Sequence, residues 1–231
     1  MKKVLVLTLV LVFALSGLVF ADNVAEVKQD GDEHYAYINQ DGNGNAASAN
    51  QTGTDHRAEI QQIGDNNTAD TSQGTHRDFF AYTWQQGNHN TASQTQNVNH
   101  DWNNPKKDDV DLAYITQIGN RNNAIQMQSK VYHGAVMMTW QEGNDNSSTQ
   151  SQSGYNAYAN VYQLGEGNTA MQHQYGGNST VNTKYRQNAE ISQKGDYNFA
   201  SQIQTGYYRN HSEISQKGDN NTATVLQSNV K

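Results

Sequence analysis

The chain contains no cysteine, one proline and, beyond its N-terminus, no long hydrophobic run. Without cysteine it has no disulfide framework. With Pro105 as the single proline, it is unlike a proline-rich disordered linker. Only 34% of its residues are hydrophobic and its mean hydropathy is −0.91, which excludes a conventional apolar core. An ordered fold must therefore be stabilised mainly by polar residues.

The N-terminus has the features of a secretory signal peptide, which we assign to residues 1–21. Lys2 and Lys3 precede an apolar stretch from Val4 to Leu15, and Val19-Phe20-Ala21 supplies small residues for cleavage. No later stretch approaches about 18 apolar residues, so we expect no membrane insertion of the mature chain.

The mature chain would be acidic, because losing the two lysines leaves 13 basic against 22 acidic residues, a net charge of −9. Such a chain repels polyphosphate, so we do not expect nucleic acid as a partner. Its other polar residues are mostly Gln, Asn, Gly, Ser and Thr, and these recur in a strict pattern. This pattern favours an ordered repeat over disorder.

One motif, Gln-x-Gly-x-x-Asn-x-Ala-x-x-x-Gln, recurs eight times without an internal insertion, and a single copy replaces alanine with Ser148. Such constancy indicates a repeat architecture. The first glutamines are Gln40, Gln62, Gln85, Gln117, Gln141, Gln163, Gln193 and Gln216. The glycines are Gly42, Gly64, Gly87, Gly119, Gly143, Gly165, Gly195 and Gly218. The asparagines are Asn45, Asn67, Asn90, Asn122, Asn146, Asn168, Asn198 and Asn221. The second glutamines are Gln51, Gln73, Gln96, Gln128, Gln152, Gln174, Gln204 and Gln227.

Each copy predicts two β-strands joined by a turn. Two residues before the first glutamine the side chain is always β-branched, and four before it is mostly small, so alternate positions share a buried face. A second strand runs from the asparagine to the second glutamine. The Gly-x-x-Asn segment fits the turn because glycine adopts positive φ and asparagine tolerates the left-handed region.

The fold class predicted is all-β, a two-sheet β-solenoid of strand–turn–strand rungs. Two such strands have too little apolar surface to be stable alone, whereas stacked rungs pair in register about 4.8 Å apart. Each buried amide then donates to the same residue of the next rung. The glutamines, asparagines and glycines of the repeats are thus the candidate site. No catalytic residue, cofactor or metal ligand is predicted.

The chain divides by its repeats. We assign 22–35 to a short N-terminal segment with a half-repeat, Gln29-Gly31-His34-Ala36-Gln40, 36–227 to the eight repeats, and 228–231 to a C-terminal tail. Connections between repeats vary, with long insertions at 97–112 and 175–188, whereas the turn within each repeat is constant. A solenoid accommodates such insertions along one edge.

The pattern Ala/Ser-x-Ile-x-Gln-x-Gly-x-x-Asn-x-Ala-x-x-x-Gln resembles the curlin repeat of bacterial curli subunits, most clearly at 58–73, 189–204 and 212–227. The resemblance covers about residues 24–227. It implies a major subunit that polymerises with itself into an extracellular amyloid fibre, or pilus, on the cell surface. It also implies export through the periplasm, outer-membrane secretion machinery and a nucleator subunit as partners, and a role in biofilm matrix, adhesion and surface colonisation.

Other functions stay open at this stage. The chain is alternatively the minor nucleator of the same fibre, although the regular last repeat favours a major subunit. It is otherwise a monomeric β-solenoid adhesin or carbohydrate-binding module. An enzyme is not expected, because no Ser-His-acid or paired-carboxylate arrangement stands apart from the repeats.

The remaining polar and aromatic residues are interpreted as solvent-facing. The histidines, His56 among them, are expected in solvated turns and loops. The acidic turns do not predict calcium, because calcium-binding rolls repeat every nine residues and the spacing here is 11 and about 22. Trp84 and Trp140 precede their first glutamines directly and are expected to face away from the core.

Overall fold

A computed structural model of the chain describes residues 10–14, 22–74, 78–97, 110–129, 134–154, 157–176, 187–206 and 210–229. Within these ranges all regular structure is β-strand, and no helix capable of spanning a membrane is found. The first nine strands are β1 (Val10–Ala14), β2 (Val24–Asp32), β3 (Tyr35–Asp41), β4 (Ala46–Thr54), β5 (Arg57–Ile63), β6 (Thr68–Gln73), β7 (Phe79–Gln86), β8 (Thr91–Asn97) and β9 (Asp111–Ile118). The next nine are β10 (Asn123–Ser129), β11 (Val136–Glu142), β12 (Ser147–Gly154), β13 (Ala157–Leu164), β14 (Thr169–Gly176), β15 (Gln187–Lys194), β16 (Phe199–Gly206), β17 (His211–Lys217) and β18 (Thr222–Asn229).

The strands form two parallel sheets of nine strands each. Sheet 1 contains the odd-numbered strands from β1 to β17 in chain order, and sheet 2 contains the even-numbered strands from β2 to β18. Each strand pairs with the strand that is two places further along the chain. The chain therefore crosses from one sheet to the other at every connection and advances along the solenoid axis. The predicted two-sheet β-solenoid is confirmed.

The register aligns equivalent positions of the repeats. Ala58 in β5 lies beside Ala36 in β3 and Ala81 in β7, and the first and second glutamines align in the same way. Identical side chains therefore form columns that run the length of the solenoid, which is the arrangement that lets amides pair with amides.

The core between the sheets is thin and mixed in polarity. Alternate residues of most strands are buried, and the buried hydrophobic residues are chiefly alanines together with one isoleucine or valine in most sheet 1 strands, such as Ile60 and Ile115. Most of the remaining inward positions are filled by glutamine and asparagine, and most of these residues are less than 3% exposed. Since an unpaired buried amide costs about 1–3 kcal/mol, this core is stable only if its amides are paired.

The two edges of the solenoid differ. The constant Gly-x-x-Asn turns lead from sheet 1 to sheet 2, as between β3 and β4. The variable connections lead from sheet 2 to sheet 1 on the opposite edge, including those from β8 to β9 and from β14 to β15 that contain the long insertions. Residues 98–109 and 177–186 of these insertions lie outside the described residues.

The N-terminal end adds strands beyond the eight repeats. β1 lies within the predicted signal peptide and pairs with β3 from Val10↔Ala36 to Ala14↔Gln40. β2 pairs with β4, where Gln29 lies beside Gln51. Gln29 therefore belongs to the column of second glutamines rather than first, and the half-repeat is the second strand of a repeat followed by a variable-edge connection.

Candidate functional site

The eight first glutamines form an uninterrupted hydrogen-bonded ladder through the core. Each Nε2 donates to Oε1 of the next glutamine, from Gln40 to Gln216, over distances of 2.8–2.9 Å. Each Nε2 also donates to a backbone carbonyl of the preceding strand, as Gln62 does to Ala46 O at 3.1 Å. Both amide hydrogens of the seven glutamines before Gln216 are thus satisfied, which explains why these side chains are buried.

The second glutamines form a parallel ladder that has one additional member at its start, Gln29 in β2. Its bonds run from Gln29 to Gln51 and onward at 2.7–2.9 Å as far as Gln128. They resume from Gln152 to Gln227 at 2.9–3.1 Å. Oε1 of Gln152 is buried without a partner, so the ladder is interrupted between Gln128 and Gln152.

The asparagines form a third column, at the constant edge. Asn67 accepts the backbone N–H of Asn90 on Oδ1 at 3.0 Å and donates from Nδ2 to Gly87 O at 2.7 Å. The same pair of contacts recurs at Asn146, with Asn168 N and Gly165 O. Each asparagine therefore ties the turn of its own rung to the turn of the next.

The turn glycines are required by close approach of successive rungs. Gly87 has φ of 120°, and a Cβ there would lie 2.0 Å from Gly119 O. The second left-handed residue of the turn is the one before the asparagine, such as Asn66 or Tyr197, with φ near 56°. The expectation that the asparagine itself takes the left-handed conformation is thus wrong. Its side chain bonds chiefly to the neighbouring turn, and the bonds to its own turn at Asn45, Asn122 and Asn221 are long, at 3.4–3.5 Å.

A further glutamine ladder was not among the predicted site residues. Gln94, Gln126, Gln150, Gln172 and Gln202 lie nine residues after the first glutamines, and they are linked by Nε2-to-Oε1 bonds of 2.9–3.2 Å. The spacing of two residues from the second glutamine signals the same inward face. The sequence carried this signal, but the recurrence in only five copies made it weaker than the invariant positions.

His56 contradicts the interpretation of the histidines as solvated. It is 1% exposed and stacked between the rings of His34 and Phe79, with centroids 5.1 and 4.8 Å away. Its Nε2 lies 2.7 Å from Gly74 O, and Phe79 N–H donates to Nδ1 at 3.4 Å. The ring thus takes the place of an asparagine on the variable edge, with Nε2–H donating and Nδ1 accepting.

Burial lowers the pKa of His56 below its usual value of 6.5, although hydrogen bonds to the carbonyls of Gly74 and Thr52 oppose the shift. A proton on Nδ1 would also remove the acceptor for Phe79 N–H. His76, His100 and His133 lie outside the described residues. Within the described ranges, no group of three or more His, Cys, Asp or Glu residues is arranged to hold a metal ion.

The outer face of sheet 1 is aromatic along its middle rungs. Trp84 and Trp140 face outward as expected, and Thr116 separates them in one column. Trp140 is 39% exposed. Beside them, the rings of Tyr82 and Tyr114 lie 6.3 Å apart.

Comparison with known proteins locates the same repeat. A family model described as the curlin associated repeat matches residues 21–53 and 38–64, which span β2 to β5. No curated protein matches the chain. The columns of the matched strands continue in register through β17 and β18, so the structure extends the matched pattern to the end of the described residues.

Proposed function

Because the chain belongs to the curlin family, we propose that it is a secreted structural subunit that polymerises into curli-like amyloid fibres. The family is one of structural proteins that form fibres at the cell surface. For this chain we propose the role of a major subunit in the biofilm matrix, where the fibres promote adhesion and surface colonisation.

The open last rung is the observation that carries the proposal. β17 pairs with β15 and β18 pairs with β16, and the far edge of both strands has no partner among the described strands. An unpaired parallel edge with in-register side chains is a template for another strand. A second copy supplies strands with matching columns, so growth continues the ladders already present within one chain.

Export is proposed on the features of residues 1–21. We expect cleavage after Ala21, passage through the periplasm and secretion across the outer membrane, with a separate nucleator subunit as partner. β1 lies against β3 in the full chain, so its removal also uncovers an edge of sheet 1 at the N-terminal end.

The test uses residues 22–231, released from denaturant as monomer and held at micromolar concentration. We expect fibres that are visible by electron microscopy and that give X-ray fibre-diffraction reflections near 4.7 and 10 Å. A chain that stays monomeric for days without β-sheet circular dichroism contradicts the proposal. The full precursor expressed in a bacterium with a curli secretion system tests export, and retention of an uncleaved precursor inside the cell contradicts that part.

A further inference from the structure

The strands that remain after cleavage are unequally divided between the sheets. Without β1, eight described strands remain in sheet 1 and nine in sheet 2. The first of these strands, β2, and the last, β18, both belong to sheet 2. The described strands from β2 to β18 therefore make eight and a half turns of the solenoid and not a whole number.

This half turn is significant because the connections at the two edges produce the same rise along the solenoid axis. Gln51 Nε2 in β4 donates to Tyr35 O at 3.0 Å, and Tyr35 is in β3, which a constant turn connects to β4. Gln62 Nε2 in β5 donates to Ala46 O at 3.1 Å with the same sequence separation, and Ala46 is in β4, which a variable connection joins to β5. Each strand thus lies about 2.4 Å above the one before it, half of the spacing between paired strands.

Stacking two copies in the same orientation leaves a gap. If β2 of the second copy pairs with β18 of the first, both in sheet 2, its β3 lies two strand spacings above β17 in sheet 1. One strand position, about 4.8 Å high, is then empty at every junction. Two backbone edges and the inward side chains beside them would be left unpaired there.

We propose that successive copies are rotated by half a turn about the fibre axis, an inference that rests on the proposed fibre function. The rotation exchanges the sheet positions, so β2 pairs with β17 and β3 pairs with β18. It also preserves strand direction, because the two sheets run in opposite directions and a half turn reverses each. The solenoid then continues across the junction with every strand paired in parallel.

The side chains at this junction match column for column. β2 places Asn23 on Asn210, Ala25 on Ser212, Val27 on Ile214 and Gln29 on Gln216. β3 places His34 on Asn221, Ala36 on Ala223, Ile38 on Val225 and Gln40 on Gln227. Small residues meet small, β-branched meet β-branched and glutamine meets glutamine, as they do between rungs of one chain. Glu26 comes to lie beside Glu213, a like-charge pair that the chain already has between Glu190 and Glu213.

The ladders also have a direction, which sets the polarity of the junction. Oε1 of Gln29, at the start of its ladder, is buried and has no hydrogen-bond partner. Gln216, at the end of the other ladder, donates from Nε2 to Phe199 O at 3.0 Å, and this leaves its second amide hydrogen for the next rung. In the rotated stack that hydrogen points to Gln29 of the next copy, so the two glutamine ladders join each other.

Disulfide trapping in fibres of residues 22–231 tests the rotation, because the chain contains no cysteine of its own. Lys28→Cys with Ser215→Cys, and Asn39→Cys with Leu226→Cys, place outward residues on neighbouring strands of the rotated junction. Paired parallel strands hold their Cα atoms within the range of about 4.4–6.8 Å that a disulfide needs. The matched control, Lys28→Cys with Leu226→Cys, brings its residues together only in the unrotated stack. The single variant Lys28→Cys measures the background, because its cysteine forms a disulfide only where the Lys28 positions of two copies meet head to head.

After oxidation, we expect the two rotated pairs to give covalent oligomers on non-reducing gels, at least about tenfold more than the control pair, since its residues are on opposite faces. Trapping of the control pair instead, or of none of the pairs in well-formed fibres, overturns the rotation and leaves the proposed function intact. If the unmodified chain forms no fibres, the proposed function itself fails. Gold labels on Lys194→Cys give a second readout. They are expected on alternate sides of the fibre, spaced by about 41 Å for eight and a half rungs.

Discussion

Thr83 caps the ladder that begins at Gln94, because its Oγ1 donates to Gln94 Oε1 at 2.9 Å across the core. Gln94 is the first glutamine of its column, and the preceding rung has Thr71 there, whose Oγ1 is 3.5 Å away. No glutamine is therefore below it to donate. Most other sheet 1 strands have isoleucine or valine at the position of Thr83; Thr139 is the other threonine, and its Oγ1 donates to Gln150 Oε1 at 2.8 Å further along the same ladder.

Replacing Thr83 with valine removes this donor at nearly constant shape. Gln94 Oε1 then keeps only the long contact to Thr71, and we expect fibre stability to fall by about 1–2 kcal/mol. The midpoint of guanidinium-induced fibre dissolution at fixed protein concentration measures this. Thr116→Val, on the outward face of β9, is the control and is expected to leave the midpoint almost unchanged. Equal effects of the two substitutions would contradict the capping role.

Replacing Gln117 with leucine interrupts the first ladder near its middle. Gln85 Nε2 loses its acceptor and Gln141 Oε1 loses its donor, and both atoms are buried. We expect a loss of about 2–6 kcal/mol, since each of the two unsatisfied groups costs about 1–3 kcal/mol. Gln61→Leu in the outward column of β5 is the matched control. The same dissolution assay applies, and a Gln117→Leu fibre as stable as the control would show that the ladder contributes little.

Two glycine substitutions separate strain within a chain from contact between chains. Gly87→Ala places a Cβ 2.0 Å from Gly119 O, so we expect it to prevent formation of the solenoid. Gly218 has a similar φ of 97°, but the nearest atom to its added Cβ is Asn221 Nδ2 at 3.7 Å, within its own chain. In the stacked fibre a further turn lies above Gly218. Gly218→Ala is therefore expected to retain β-sheet circular dichroism but to slow elongation of preformed seeds. Equal loss of β-sheet in both variants would contradict this distinction.

Fibre stability is expected to decrease below about pH 6.5 through His56. Its pKa is lowered in the folded chain by burial, so the unfolded chain binds the proton more readily. Stability from the neutral ring is thus complete above the unfolded value and is lost as the pH falls toward the folded one. The dissolution midpoint at pH 7.5 and pH 5.5 measures the effect. His56→Asn, which keeps an acceptor and a donor in that column, should reduce the dependence, whereas the outward His173→Asn should not.

The spacing of the repeats was sufficient to predict the two sheets and the columns of Gln62, Gln73 and Asn67. These residues recur in every rung, and period-2 alternation assigns each to a face. The spacing did not reveal the roles of His56 and Thr83, because these depend on residues in other strands. His56 was assigned to solvent because its residue type suggests a surface loop, but its position six residues before Gln62 places it inward. The cap at Thr83 becomes visible only when the position opposite it across the core is known.

The unequal edges of the solenoid make the protein a natural scaffold for display. The constant edge leaves no room for a side chain at Gly87 or at its equivalents below the last rung, so this edge cannot accept foreign sequence. The opposite edge already connects its strands with segments of different length. A peptide inserted between Gly154 and Ala157 would therefore be carried once per chain. The half-turn between copies would present it on alternate sides of the fibre, at intervals of about 41 Å.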